Sequence, residues 1–187
     1  MGSIQVKGSA VTARVRWVRE THGEEALRKV LDALTEEDRQ ILAGRVLPSA
    51  WVPYELFIRL NVAADRAFGR GDHRVCYEMG KFSAEVNLPT LYKLFFRLGS
   101  PLFIFRKAAQ VWDVHYTSGR LVSLQDGPAA VRIRVEDFAQ PHRAHCMSVL
   151  GWAVKSIELS GSTTTYAEEE TCRVRGGDAC EFTLRWK

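Results

Sequence analysis

Val11, Val15 and Val18, with Trp17 beside them, recur at helical spacing behind Ser9, so a helix opens the chain. A second stretch from Glu24 to Leu34 carries Ala26, Leu27, Val30, Leu31 and Leu34 on one face. Thr35 followed by Glu36, Glu37 and Asp38 supplies a capping residue with first-turn acids, which predicts a short third helix through Leu42. Pro48 and Pro53 interrupt the pattern, and Pro53 stands where a proline can begin the helix that runs towards Phe68 and ends at Gly69 to Asp72. Val75, Met79, Phe82 and Val86 predict the next helix, from about Asp72 to Val86. Two dense apolar segments follow, the second from Pro101 to about Tyr116. Their aromatic content exceeds what one helix face needs, so both are expected to be buried on several sides, around a core or a cavity.

After Gly119 the period changes to alternation. Leu121 to Leu124 and Val131, Ile133 and Val135, the latter interleaved with Arg132 and Arg134, flank Asp126-Gly127-Pro128 and predict a β-hairpin with one wet face. Pro141 to Ser160 returns to helix with Cys146, Val149, Leu150, Ala153 and Ile157 on one stripe, ended by Gly161. A second hairpin, Thr163 to Val174 and Ala179 to Trp186, turns at Gly176-Gly177-Asp178 and places Cys180, Phe182, Leu184 and Trp186 on one face. The expected product is an α+β domain in which N-terminal helices precede a hairpin, a helix and a hairpin. The hairpins form a four-stranded antiparallel sheet packed by helices, and residues 1–187 make one domain.

Composition narrows the function classes. The chain is 46% hydrophobic and 26% charged, with no apolar run near the ~20 residues of a membrane span, so neither membrane insertion nor an anchor is expected. The N-terminus lacks the pattern of a secretory signal, which places the protein in the cytoplasm with reduced thiols. A net charge of +4 is spread among alternating acids and bases rather than in a basic run, so no nucleic-acid partner is expected.

The stretch "EEETCRVRGGDACEF" sets Cys172 and Cys180 around a turn, and Cys146 lies on the core face of the preceding helix. With one carboxylate, these three thiols make a four-coordinate shell of the kind zinc accepts, but buried, inert thiols satisfy the same pattern. On an ideal strand Glu169 and Cys172 point to opposite faces unless a bulge re-aims one of them, and Glu168 and Glu170 are rivals for the carboxylate position. Cys76 reads as a buried thiol. The histidines, His22, His73, His115, His142 and His145, are scattered and without an obvious nucleophile or acid partner. The chain therefore does not read as an enzyme, and no single histidine stands out as a haem ligand. His145 reads as a surface residue or a neighbour of ligands. Among the aromatic residues of the middle segments, Phe96, Phe105, Trp112, Tyr116 and Trp152 are candidate lining for an apolar ligand, with a well-packed core as the alternative.

The ending "CRVRGGDACEFTLRW" resembles the C-terminal signature of the vinyl-4-reductase-type domain, a small-molecule-binding superfamily related to the TRAPP subunits and distantly to haem-nitric-oxide-binding domains. From "VKGSAVTARVRWVRE" through "LPSAWVPYELF" and "LGWAVKSIELSG" to the end, the chain resembles more closely a paralogous family abundant in myxobacteria. Aromatic-sensing activators of this superfamily hold structural zinc through Cys, Glu, Cys and Cys, and the matching residues here are Cys146, Glu169, Cys172 and Cys180. The resemblance implies a regulatory domain that senses a small apolar molecule, aromatic or acyl, with structural zinc. The alternative it implies is a dimeric protein-interaction adaptor of TRAPP-subunit type with no small-molecule ligand; in either case a homodimer is expected.

Overall fold

The computed structural model describes residues 3–92 and 100–187, with side chains for all of these except 89–92. Strand β1 (Gln5–Lys7) leads into helix α1 (Gly8–Asp32), which breaks at Gly23, where φ is 86°. The two predicted N-terminal helices are thus one element with a kink, placed where only glycine is comfortable. Helix α2 (Glu36–Ala43) begins as expected: the Thr35 hydroxyl accepts the Asp38 N–H. Strand β2 (Trp51–Pro53) pairs antiparallel with β1, and helix α3 (Tyr54–Phe68) follows directly, so Pro53 caps that helix rather than opening it.

Helices α4 (Arg74–Tyr92) and α5 (Pro101–His115) come next, the latter with proline in its first turn. The predicted apolar segment between them lies largely outside the described residues. Strands β3 (Arg120–Gln125) and β4 (Ala130–Glu136) form the first hairpin. After helix α6 (Arg143–Leu159), β5 (Thr164–Thr171) and β6 (Cys180–Trp186) form the second, with a short 3-10 turn at Arg173–Arg175. The four strands make one antiparallel sheet in the order β3-β4-β6-β5, as the alternating pattern predicts.

In the register Val131, Ile133 and Val135 face Leu184, Phe182 and Cys180, so a single apolar face results and all six side chains are buried. Helices α5 and α6 lie against the sheet, α4 packs on α6, and α1 and α3 pack on α4. The α4–α6 contact is backbone to backbone. A Cβ on Gly80 would overlap the Ser148 carbonyl oxygen, and one on Gly151 would overlap the Tyr77 carbonyl oxygen. Two glycines therefore set how closely these helices approach.

Gly80→Ala and Gly151→Ala are each expected to cost about 1–3 kcal/mol, because the added methyl has rigid backbone rather than a flexible side chain to displace. Thermal unfolding checks this as a fall of several degrees in Tm; unchanged melting for both would show that the helices have slack.

Candidate functional site

Two constellations lie along α6. The first is a cavity of about 70 Å³ between α1, α4, α5 and α6. Trp112 and Tyr116 of the α5 end form one wall, their ring centroids 4.4 Å apart, and the Trp112 indole N–H donates to the Ser118 carbonyl at 3.0 Å. Tyr116 is held by a bridge to Val6, while Thr117 and Gln5 exchange hydrogen bonds, so the N-terminal strand positions this wall. Leu88, Val149 and Trp152 complete the apolar lining.

Of the aromatic residues predicted to line a ligand site, Trp112, Tyr116 and Trp152 border this cavity. Phe105 is buried but sits nearer the start of α5, beside Trp186 at 6.3 Å, where the sheet covers it. Phe96 lies outside the described residues.

The polar part of the lining escaped the sequence reading. Arg14 is 2% exposed and borders the cavity with Ser83, Asn87, His115 and Ser148. Its guanidinium donates to Asn61 Oδ1 at 3.5 Å, to the Ala10 carbonyl at 3.4 Å and to the Ser148 hydroxyl, and its carbon lies 4.7 Å from the centre of the Phe57 ring. The signal was in the pattern: Arg14 stands between Val11 and Val15 on the apolar stripe of α1, where a cation needs a reason.

The second constellation is the thiol cluster where α6 begins. Cys146 Sγ lies 3.5 Å from Cys180 Sγ and 3.9 Å from Cys172 Sγ, and donor atoms of these three and Glu169 lie within 4.8 Å of one another. Among the three neighbouring acids, position in the strand selects Glu169. It stands opposite Phe182, on the core face, while Glu168 and Glu170 are exposed and accept from the Tyr166 hydroxyl. The register shift between Glu169 and Thr171 is the bulge that lets Glu169 and Cys172 both face inward.

Glu169 Oε2 pairs with Arg143 and lies 3.6 Å from Arg175, while Oε1 is buried without a partner. Hydrogen bonding between the thiols, donated by Cys146, pushes the Cys146 pKa up and draws that of Cys180 down; burial adds to the first, and Arg173 beside Cys180 favours the second as thiolate.

His145 is not a surface residue, and it stands next to the thiol cluster with Cys146 and Cys180. It is 4% exposed and caged by Tyr54, Phe57, Trp112, Tyr116 and Phe138, with ring centroids 5.0–6.1 Å away and Nε2 unpartnered. Cys76 is buried as expected, its thiol 3.6 Å from the Asn61 carbonyl.

No protein-family model matches the sequence, and no curated protein matches it. Solved structures do. An H-NOX protein from S. oneidensis in the Fe(II)NO ligation state superposes with TM-score 0.74 at 12% identity, covering 97% of this chain and 99% of that one. An Fe(II) unliganded H-NOX mutant from K. algicida gives 0.70 at 13%, with 97% and 96% covered. An oxygen-binding H-NOX domain related to soluble guanylate cyclases gives 0.67 at 12%, with 97% and 95% covered.

The chain has the H-NOX fold. These whole-chain matches overturn the vinyl-4-reductase and TRAPP-type assignment. The C-terminal signature that suggested it spells a hairpin, and a hairpin does not distinguish one α+β domain from another. The adaptor reading loses its basis with that resemblance. Structural zinc, expected as the cofactor, is corrected too: it rested on the same resemblance, whereas the H-NOX proteins named here are described with Fe(II), and none with zinc.

Haem, which the H-NOX fold suggests, finds a suitable donor in this chain but not the space. His115 Nδ1–H donates to the Val111 carbonyl at 2.8 Å, which leaves Nε2 bare beside the cavity, the tautomer an axial ligand requires. The cavity, however, has about half the roughly 150 Å³ that holds a benzene ring, and a tetrapyrrole is several times larger than one ring. His145 is enclosed by five aromatic rings with centroids 5.0–6.1 Å away, which leaves no space for a macrocycle beside its Nε2. The described residues therefore do not fit haem. No described helix is long and apolar enough to cross a membrane.

Burial, with the nearby charges of Arg14 and His142, lowers the His145 pKa from 6.5 to about 3. Between those values the unfolded chain takes up a proton that the folded one refuses. Stability from this group is thus complete above pH 6.5 and lost on acidification towards pH 3, by at most about 1.4 kcal/mol per pH unit. His145→Phe is expected to flatten that part of the stability–pH curve in denaturant titrations; an unchanged slope would contradict the burial argument.

Proposed function

We propose that residues 1–187 act as one small-molecule-sensing domain and not as an enzyme, with the cavity between α1, α4, α5 and α6 as the sensing site. The observation that carries this reading is the lining itself: an apolar wall of Leu88, Trp112, Val149 and Trp152 with a few polar groups converging from the other side. Those groups are anchors. The Ser148 hydroxyl is engaged by Arg14, and His115 is held by Val111. The H-NOX neighbours, described as binding oxygen or NO, support sensing as the use of this fold. The volume restricts the ligand to a short acyl chain or, with rotation of the half-buried Trp152, one ring. Occupancy is read out through α6, which carries Ser148, Val149 and Trp152 at the cavity and Cys146 at the thiol cluster, so a ligand that favours one seating of α6 biases the whole helix.

In the same reading Cys146, Glu169, Cys172 and Cys180 hold a thiophilic metal ion that clamps α6 to the β5–β6 hairpin. The donor types suit such an ion, and Glu169 Oε1 is free to serve as the oxygen.

Two measurements test the parts separately. 1-Butanol and benzene are expected to raise Tm of the wild type, the rise following RT ln(1 + [L]/Kd), and Ala108→Phe, which fills the cavity, abolishes the effect. Haemin is expected to give no histidine-ligated Soret spectrum; such a spectrum, lost in His115→Ala, would overturn the small-ligand reading. Elemental analysis of untagged protein is expected to find about one thiophilic metal ion per chain, lost with a lowered Tm in Cys172→Ser. Metal-free protein whose Cys172→Ser and Glu169→Gln variants melt unchanged would reduce the cluster to buried thiols.

A further inference from the structure

Arg14 carries a charge that the described residues do not balance. It is 2% exposed, and its partners among the described residues are neutral: the Asn61 amide oxygen, the Ala10 carbonyl, the Ser148 hydroxyl and the Phe57 ring. Two of its three hydrogen bonds are long, at 3.4 and 3.5 Å, so a guanidinium with several N–H donors is incompletely satisfied. Burial lowers its pKa to about 10, with no carboxylate acting against that shift, so it remains a cation at neutral pH. Buried cations are costly unless paired, and an arginine fork matches a carboxylate in two parallel hydrogen bonds. Buried acids elsewhere among the described residues obey this rule: Asp38, 1% exposed, is met by Arg59 through both oxygens, at 2.5 and 2.7 Å. Arg14 instead borders the cavity, where Ser83, Asn87 and His115 add neutral polar groups and no acid among the lining residues answers it.

We propose that the ligand of this cavity is a small carboxylate, its carboxyl group bound by Arg14 with Ser148 beside it and its short apolar body against Trp112, Val149 and Trp152. This rests on the sensing reading above and names the ligand class for the same site. The ligand supplies the missing counter-charge, so an acid is distinguished from the neutral amide or alcohol of the same shape, which leaves the guanidinium unpaired.

The test is isothermal titration at pH 7.5 with two shape-matched pairs, butyrate with butyramide and benzoate with benzamide, against wild type, Arg14→Lys and Arg14→Met. At least one acid is expected to bind the wild type about 10–100-fold more tightly than its amide, the range given by a charge-assisted hydrogen bond. Arg14→Lys keeps part of that preference and Arg14→Met removes it. Ligand-free Arg14→Met is expected to melt no lower than wild type, since the substitution removes an uncompensated charge. Amides that bind as well as their acids, or a preference for acids that survives in Arg14→Met, overturn the proposal. If neither pair binds while 1-butanol or benzene still raises Tm, the carboxylate assignment fails and the cavity reading stands; if these neutral probes fail as well, both fall.

Discussion

The close approach of α4 and α6 is the constraint on which the rest of the structure depends. Gly80 and Gly151 remove two side chains from the crossing, and each helix then rests on a carbonyl of the other, those of Ser148 and Tyr77. Because α6 also lies on the sheet, this contact fixes the distance between the sheet and the outer helices. It also sets the cavity. Ser148 is at once the backbone contact for Gly80 and the hydroxyl that meets Arg14, so the depth of the void and the position of its cation follow from the same crossing. The crossing thereby leaves a void of about 70 Å³ beside it.

The two constellations along α6 have opposite chemistry. One presents thiols and a carboxylate beside Arg143, Arg173 and Arg175, so unlike charges meet there. At the other Arg14 is surrounded by neutral groups and aromatic rings. Low dielectric amplifies both situations: it makes the matched cluster rigid and the unmatched cation demanding. Between them the His145 cage provides a neutral aromatic plug, with the imidazole held in its uncharged form by burial.

The thiol cluster was unusually legible because each of its elements carries a local signal. A 3.6-residue stripe places Cys146 on the inner face of α6, and strand alternation places Cys180 inward. The conflict between Glu169 and Cys172 could be stated from parity alone, together with the bulge that would remove it. Strands β1 and β2 carried no such signal. Each is three residues long, and they pair across more than forty residues of chain, so nothing within either segment marks it as a strand. Arg14 was visible as an anomaly on an apolar stripe, yet its significance depends on what the other helices fail to bring near it. Whole-fold kinship was misread for a related reason. A short signature encodes a hairpin, whereas the fold is a property of how all the elements pack.

Periodicity, caps and turns determined most of what is local: the α+β class, the helices and their starts, both hairpins and the inward set on each strand. These depend on backbone geometry within a few residues. Tertiary structure alone decided that α4 and α6 meet through glycine, that a void of about 70 Å³ remains beside them, and that the cation in its wall meets no acid among the described lining residues. Volume and charge balance are sums over side chains from five elements distant in sequence. No window along the chain contains those sums, and only packing evaluates them.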